Sequence, residues 1–157
     1  MRLLCFDPGA TTGVADLLIH PTGVILIDRA AEISSFRGIE NFLEPDINGI
    51  APVLCICELL TVQHPTFRQI GVEVMGAIHF LCYLWDIEVI FQPPSKMEAP
   101  RRLHPLKKEI RSEHARDAIH HGIAYAYQHF NKRFVIKKTK GYHYATSSEG
   151  SQAQTKS

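Results

Sequence analysis

Apolar and polar positions fall into a few clear patterns along this chain. Residues 2–7, "RLLCFD", run apolar up to Asp7, and Pro8 and Gly9 then stop the run, which predicts a buried strand closed by a turn. "GVADLLI" (13–19) and "VILIDRA" (24–30), parted by the tight-turn signal "HPTG", predict two more strands of an antiparallel meander. Ser34 or Ser35 caps a helix through "FRGIENFLEP", which Pro45 closes. "PVLCICELL" (52–60) is a continuous apolar run, as in a central strand buried on both faces, and Glu58 interrupts it near its end. Residues 66–85 have helical length and are apolar on nearly every side. Gly71 and Gly76 within them predict close packing, or a helix partly covered by another chain. "IEVIFQPP" (87–94) is a fifth strand. Residues 95–111 are basic and interrupted by Pro100 and Pro105, so they read as a loop or short helix. From Ser112, "SEHARDAIHHGIAYAYQHF" predicts a last helix with Ala118, Ile119, Gly122, Ile123 and Ala126 toward the core. The order βββαβαβα predicts an α/β fold with a mixed five-stranded sheet and helices on both faces. Residues 1–136 then form one domain, and 137–157, polar throughout, read as a disordered tail.

A length of 157 residues suits one domain with a sizeable core. No apolar run reaches the roughly 18 residues of a membrane span, and Asp7 comes too early for a signal peptide, so the expectation is a soluble, cytoplasmic protein with no membrane partner. Cys5, Cys55, Cys57 and Cys82 sit in apolar surroundings without zinc-knuckle spacing and read as buried, reduced thiols. The net charge of +1 hides a split. Residues 1–95 carry 4 Lys/Arg and 11 Asp/Glu, residues 96–157 carry 13 and 5, so −7 faces +8. A basic surface beside an acidic site suits a polyanionic partner.

The acids give the split a chemistry. A buried strand gains nothing from an unpaired carboxylate, whose desolvation costs several kcal/mol. Asp7 and Glu58 end the first and fourth strands, and if those strands are parallel neighbours both emerge at the same sheet edge. His114 and Asp117, three apart on the last helix, share a face. Three carboxylates and an imidazole in one place need cations, and such oxygen-rich sites suit Mg²⁺, two per site, with Mn²⁺ able to substitute. Two such metals support water attack on a phosphodiester.

"FDPGATTGVA", "ICELL" and "SEHARDAIHHGIAYA", in this order, resemble the RuvC-type Holliday junction resolvases of the ribonuclease H-like superfamily, most closely the shorter bacteriophage form. The resemblance covers residues 1 to about 130. It implies a ribonuclease H-like fold and a metal-dependent endonuclease that cuts branched DNA, four-way junctions above all, by in-line water attack. It implies Asp7, Glu58 and Asp117 as metal ligands, and His114 as a fourth ligand or a partner of the attacking water. It also implies a homodimer through residues 66–85. Cellular members carry an aromatic wedge three residues after the strand-four glutamate. Thr61 stands there, and Leu59, Leu60 and Phe67 are the candidates to replace it. Lys96, Arg101, Arg102, Lys107 and Lys108 are the candidates for phosphate contacts.

Blander readings stand beside these. Asp7 before Pro-Gly also suits a turn, and Asp117 could pair with Arg111, Arg116 or His121. His120, His121 and His129 read as a solvated, His-rich helix face, and His104 and His64 as outside the site. Rival functions are a related nuclease acting on RNA–DNA hybrids, flaps or forks, and a non-catalytic nucleic-acid-binding module. A sugar-kinase-like or actin-like fold would need a second, similar domain, for which 157 residues leave no room.

Overall fold

The computed structural model describes residues 1–44, 49, 51–60, 65–106 and 110–145; for 65–69 and 140–145 it describes the backbone alone. Three strands open the chain, β1 (Arg2–Asp7), β2 (Thr12–His20) and β3 (Val24–Ile33). Helix α1 (Phe36–Leu43), strand β4 (Leu54–Glu58), helix α2 (Pro65–Leu84) and strand β5 (Glu88–Gln92) follow. A 3₁₀ turn (Pro94–Met97) leads into the short α3 (Glu98–Leu103), then α4 (Glu113–Phe130) and β6 (Val135–Ala145).

The strands form one sheet in the order β5-β4-β1-β2-β3-β6. The meander is antiparallel, while β1–β4, β4–β5 and β3–β6 are parallel. The expected mixed α/β sheet with helices on both faces is present, but it has six strands where five were expected. Residues 137–145, expected in a disordered tail, complete β6 beside β3. The "VIKKTKGYHYA" pattern is weak because β6 is an edge strand. Ile136 packs against the core, while Val135 is exposed. Residues 146–157 lie outside the described residues.

Strand periodicity divides the core. Leu3, Cys5, Ala15, Leu17 and Ile56 face α4, while Leu4, Phe6, Val14, Cys55 and Cys57 face α1 and α2. All four cysteines are free and buried, and burial pushes the Cys5, Cys55 and Cys57 thiols up. Caps explain two helix starts. Ser35 Oγ accepts from Gly38 N at 3.2 Å, and Ser112 Oγ accepts from Ala115 N at 3.0 Å. Asn131, left-handed at φ 41°, follows the end of α4. Asp16 is wholly buried inside β2, and two guanidiniums hold it there. Arg2 donates through Nε and Nη2, and Arg29 adds Nη2 at 2.9 Å. Among the described residues no helix is long and apolar enough to cross a membrane.

Candidate active site

The site grows from one row of the sheet. Phe6 pairs with Cys57, Glu58 with Gln92, and Asp7 with Gly13, which itself pairs with Glu32. Gln92, Glu58, Asp7, Gly13 and Glu32 therefore lie side by side at one edge, on the face that α4 covers. Gly13 is the hole in this row. A Cβ there would overlap the backbone carbonyl of His114, so only glycine lets the first turn of α4 sit down on β2. Ser112, the cap of that turn, donates its hydroxyl to Glu32. Further along, a Cβ at Gly122 would strike Leu17 and the Cys5 sulfur, so the middle of α4 is seated as closely.

Once seated, α4 presents His114, Asp117 and His121, spaced three and four apart, toward the row. His114 Nδ1–H donates to Asp7 Oδ2 at 2.8 Å. His121 Nε2–H donates to Glu58 Oε2 at 2.9 Å, and its Nδ1 meets the Gln92 side-chain amide at 3.2 Å. Asp117 is held from α3, with Arg101 Nε donating to Oδ1 at 3.1 Å and Nη2 lying 2.6 Å from Oδ2.

Electrostatics show that the acids sense one another. Burial pushes the Asp7 carboxyl up to about 6; the His114 hydrogen bond opposes this, and the charges of Glu58 and Asp117 add to it. Burial pulls the His114 imidazole down, but the bond to Asp7 and the charges of Asp7, Glu32 and Asp117 outweigh it, so His114 is raised. For Arg101 burial is likewise outweighed, by Asp117 first and then by Glu58 and Asp7.

Asp7, Glu58, Asp117 and His114, all four expected site residues, thus stand together. Two readings are corrected. His120 and His121 are buried rather than on a solvated face, because α4 turns them toward the sheet and α3. Asp117 takes its partner from α3, not from Arg111 or Arg116; Arg116 instead donates to the carbonyls of Ile110 and Arg111. His104 stays off the site, with its Nε2 2.8 Å from the Tyr127 hydroxyl. Among the basic candidates, Lys96 and Arg102 are exposed on the segment beside α4, and Arg101 is on Asp117. Lys107 and Lys108 lie outside the described residues, as do Thr61 and the side chain of Phe67. Leu59 is exposed, and Leu60 presses on Gly71.

Sequence reasoning missed His121, Gln92 and the engagement of Arg101. Two signals were available. His121 lies seven residues after His114, on the same helix face, and Gln92 ends its strand as Asp7 and Glu58 end theirs.

The donor chemistry fits a hard divalent cation. Asp7 and Glu58 are each held through one oxygen, leaving Oδ1 and Oε1 without a protein hydrogen-bond donor among the described residues. Among the described residues the buried Nδ1 of His120 has no hydrogen-bond partner, and it lies 4.0 Å from Asp117 Oδ1, a spacing that one bridging water would satisfy. Among the described residues no three His, Cys, Asp or Glu side chains are placed to hold a metal ion as they stand; each acid rests on its own protein cation or imidazole.

No family model matches the chain, and no curated protein matches it in sequence. Solved structures do match its fold. Thermus thermophilus RuvC in complex with a Holliday junction substrate aligns with TM-score 0.67 at 14% identity, covering 83% of this chain and 96% of that one. Thermus thermophilus RuvC on its own aligns with TM-score 0.66 at 14% identity, over 83% and 97% of the two chains. The fowlpox virus Holliday junction resolvase aligns with TM-score 0.54 at 13% identity, over 82% and 99%. The chain has the fold of these resolvases, at identities that carry the fold alone.

Proposed function

We propose that this chain is a divalent-metal-dependent endonuclease that cleaves branched DNA, four-way junctions above all, by in-line water attack. The observation that carries the reading is Asp7 and Glu58 at one edge of the sheet with Asp117 on α4 in their field, in a fold shared with RuvC bound to a Holliday junction. Asp7, Glu58 and Asp117 would hold the metal, with His114 as a fourth donor or as the partner of the attacking water. The chemistry that divalent cations would supply there is a lowered pKa for a water and stabilisation of the leaving oxygen. The chain's own residues do the positioning. His114 orients Asp7, His121 and Gln92 fix Glu58, and Gly13 sets the depth of the helix that carries two of the four groups. The test is cleavage of labelled four-way junction, fork, RNA–DNA hybrid and linear duplex, in Mg²⁺, Mn²⁺ or chelator. Junction cleavage in both metals and none in chelator is expected. Preference for the hybrid would assign the chain to another ribonuclease H-like activity.

The basic segment after β5 would take backbone phosphates through Lys96, Arg101, Arg102, Lys107 and Lys108. Lys96→Ala with Arg102→Ala is expected to lower the slope of log affinity against log salt by about 2, one per lost phosphate contact. An unchanged slope would move the DNA path elsewhere.

The active unit is proposed as a two-fold homodimer through α2. Val72, Phe80, Tyr83 and Leu84 are exposed on this helix. Gly76, also exposed, would gain a Cβ without meeting any atom within 4 Å, so the fold of one chain does not require glycine there. Ile78 is buried in the chain's own core and Val74 packs against it, so charge at either position tests folding rather than association. Phe80→Arg is expected to shift sedimentation from dimer to monomer and to uncouple cutting of the two junction strands. Phe80→Arg that still sediments as wild-type dimer would remove α2 from the interface.

A further inference from the structure

We infer that Arg101 is a latch on the site: it clamps Asp117 in the free protein and must release it before a divalent cation can share that carboxylate with Asp7 and Glu58, the freed guanidinium passing to a DNA phosphate. The inference rests on the metal-dependent reading above. Its ground is an asymmetry among the three acids. Asp7 and Glu58 are each held at one oxygen by an imidazole. Asp117 is held at both, with Nε of Arg101 on Oδ1 and Nη2 on Oδ2. That two-point fork takes the oxygens a cation would use, and its fixed positive charge repels the cation as well. Arg101 also sits in the field of Glu58 and Asp7, so its charge bears on the whole acidic row.

The surroundings allow the exchange. The Arg101 side chain is 46% exposed, on the last turn of the six-residue α3, while the buried residue of that helix is Pro100. Swinging the guanidinium outward therefore need not unpack the helix. It would move toward the side where Lys96 and Arg102 are exposed, a surface suited to a phosphate backbone. A backbone phosphate offers the same planar fork a partner of equal charge, so DNA and metal would each favour the released state. Binding of one should then tighten binding of the other by the same factor.

Mn²⁺ alone serves as probe, titrated by calorimetry into wild type, Arg101→Gln, Arg101→Lys and Asp7→Asn, with junction binding measured separately in chelator. Arg101→Gln is expected to bind Mn²⁺ about 10-fold more tightly than wild type, a factor that corresponds to about 1.4 kcal/mol. Arg101→Lys keeps the charge but loses the fork and should fall between the two. In chelator, Arg101→Gln should bind the junction more weakly, with a salt slope smaller by about 1. Mn²⁺ affinity in both Arg101 variants equal to or below wild type would overturn the latch and leave Arg101 as a tie between α3 and α4. Asp7→Asn that binds Mn²⁺ as well as wild type, or wild type and Arg101→Gln that both bind none, would overturn the metal reading and the latch with it.

Discussion

Asp7→Asn, Glu58→Gln and Asp117→Asn are each expected to lower the single-turnover rate on a labelled four-way junction about 10³-fold or more, with junction binding in chelator retained. Three decades correspond to about 4 kcal/mol of transition-state stabilisation, within the range for losing a charged group that holds the catalytic cation. Each acid has a distinct support, so the variants fail separately: His114 on Asp7, His121 on Glu58, Arg101 on Asp117. Any one that cleaves near the wild-type rate is not part of the site.

Asp7→Asn carries a second expectation of opposite sign. The Asp7 carboxyl is raised from 3.8 to about 6 in the folded chain, so the folded state holds its proton more tightly than the unfolded one. Ionising it destabilises the fold progressively as pH rises from about 4 through about 6, and the full cost stands above that. His114 works the other way. Its raised pKa gives stability that is present at low pH and lost as pH climbs through its folded value. At pH 8, above the Asp7 value, the carboxylate cost stands in full, while the His114 contribution fades as pH passes its own raised value. Metal-free Asp7→Asn should therefore be more stable than wild type at pH 8, by roughly 1–3 kcal/mol. The advantage should vanish at pH 4. Chemical denaturation of both proteins at the two pH values measures this, and an inactive variant that is less stable at pH 8 would mean that Asp7 has a structural role.

Gly13→Ala is expected to be the most damaging glycine-to-alanine change among the described residues. Its Cβ would meet backbone, the His114 carbonyl and the Ala115 nitrogen, rather than a side chain that can turn away. Helix α4 would have to lift from β2, or β2 from its neighbours. Either movement opens the core beneath Ala115 and Ala118 and draws His114 and Asp117 away from Asp7. The expected cost is about 3 kcal/mol or more of stability, with cleavage lost even where the protein still folds. Thermal unfolding and junction cleavage at 20 °C report the two effects. An alanine variant with wild-type melting temperature and rate would show that α4 does not need this seat.

The local pattern was enough for the elements that bury one face. The meander, the central strand ending in Glu58, α2 and the Ser112-capped α4 can each be read from apolar spacing, turn residues and caps, because burial and capping act over a few residues. The three acids were legible for the same reason. A carboxylate that ends an apolar strand, or lies three residues from a histidine on a helix, stands out against its neighbours. Strand β6 was not legible. It gains its place by pairing with β3, more than a hundred residues earlier, and Val135, Lys137 and Lys138 on it are exposed.

What holds the acids was also beyond the sequence. His121 and His120 look alike as neighbours in a His-rich stretch, yet one meets Glu58 and the other the His104 carbonyl, because consecutive helical residues differ by about 100° in direction. Arg101 reads as one more basic residue of a basic segment until α3 docks on α4 and brings it to Asp117 across sixteen positions of chain. Gly13 reads as a turn glycine, and its role appears only when the first turn of α4 is laid over it. The sequence by itself determined which groups are chemically able and which elements carry them, since those depend on residue type and short-range spacing. The tertiary structure alone decided which imidazole or guanidinium neutralises which acid, since ion pairing acts over a few ångströms in space between residues far apart along the chain.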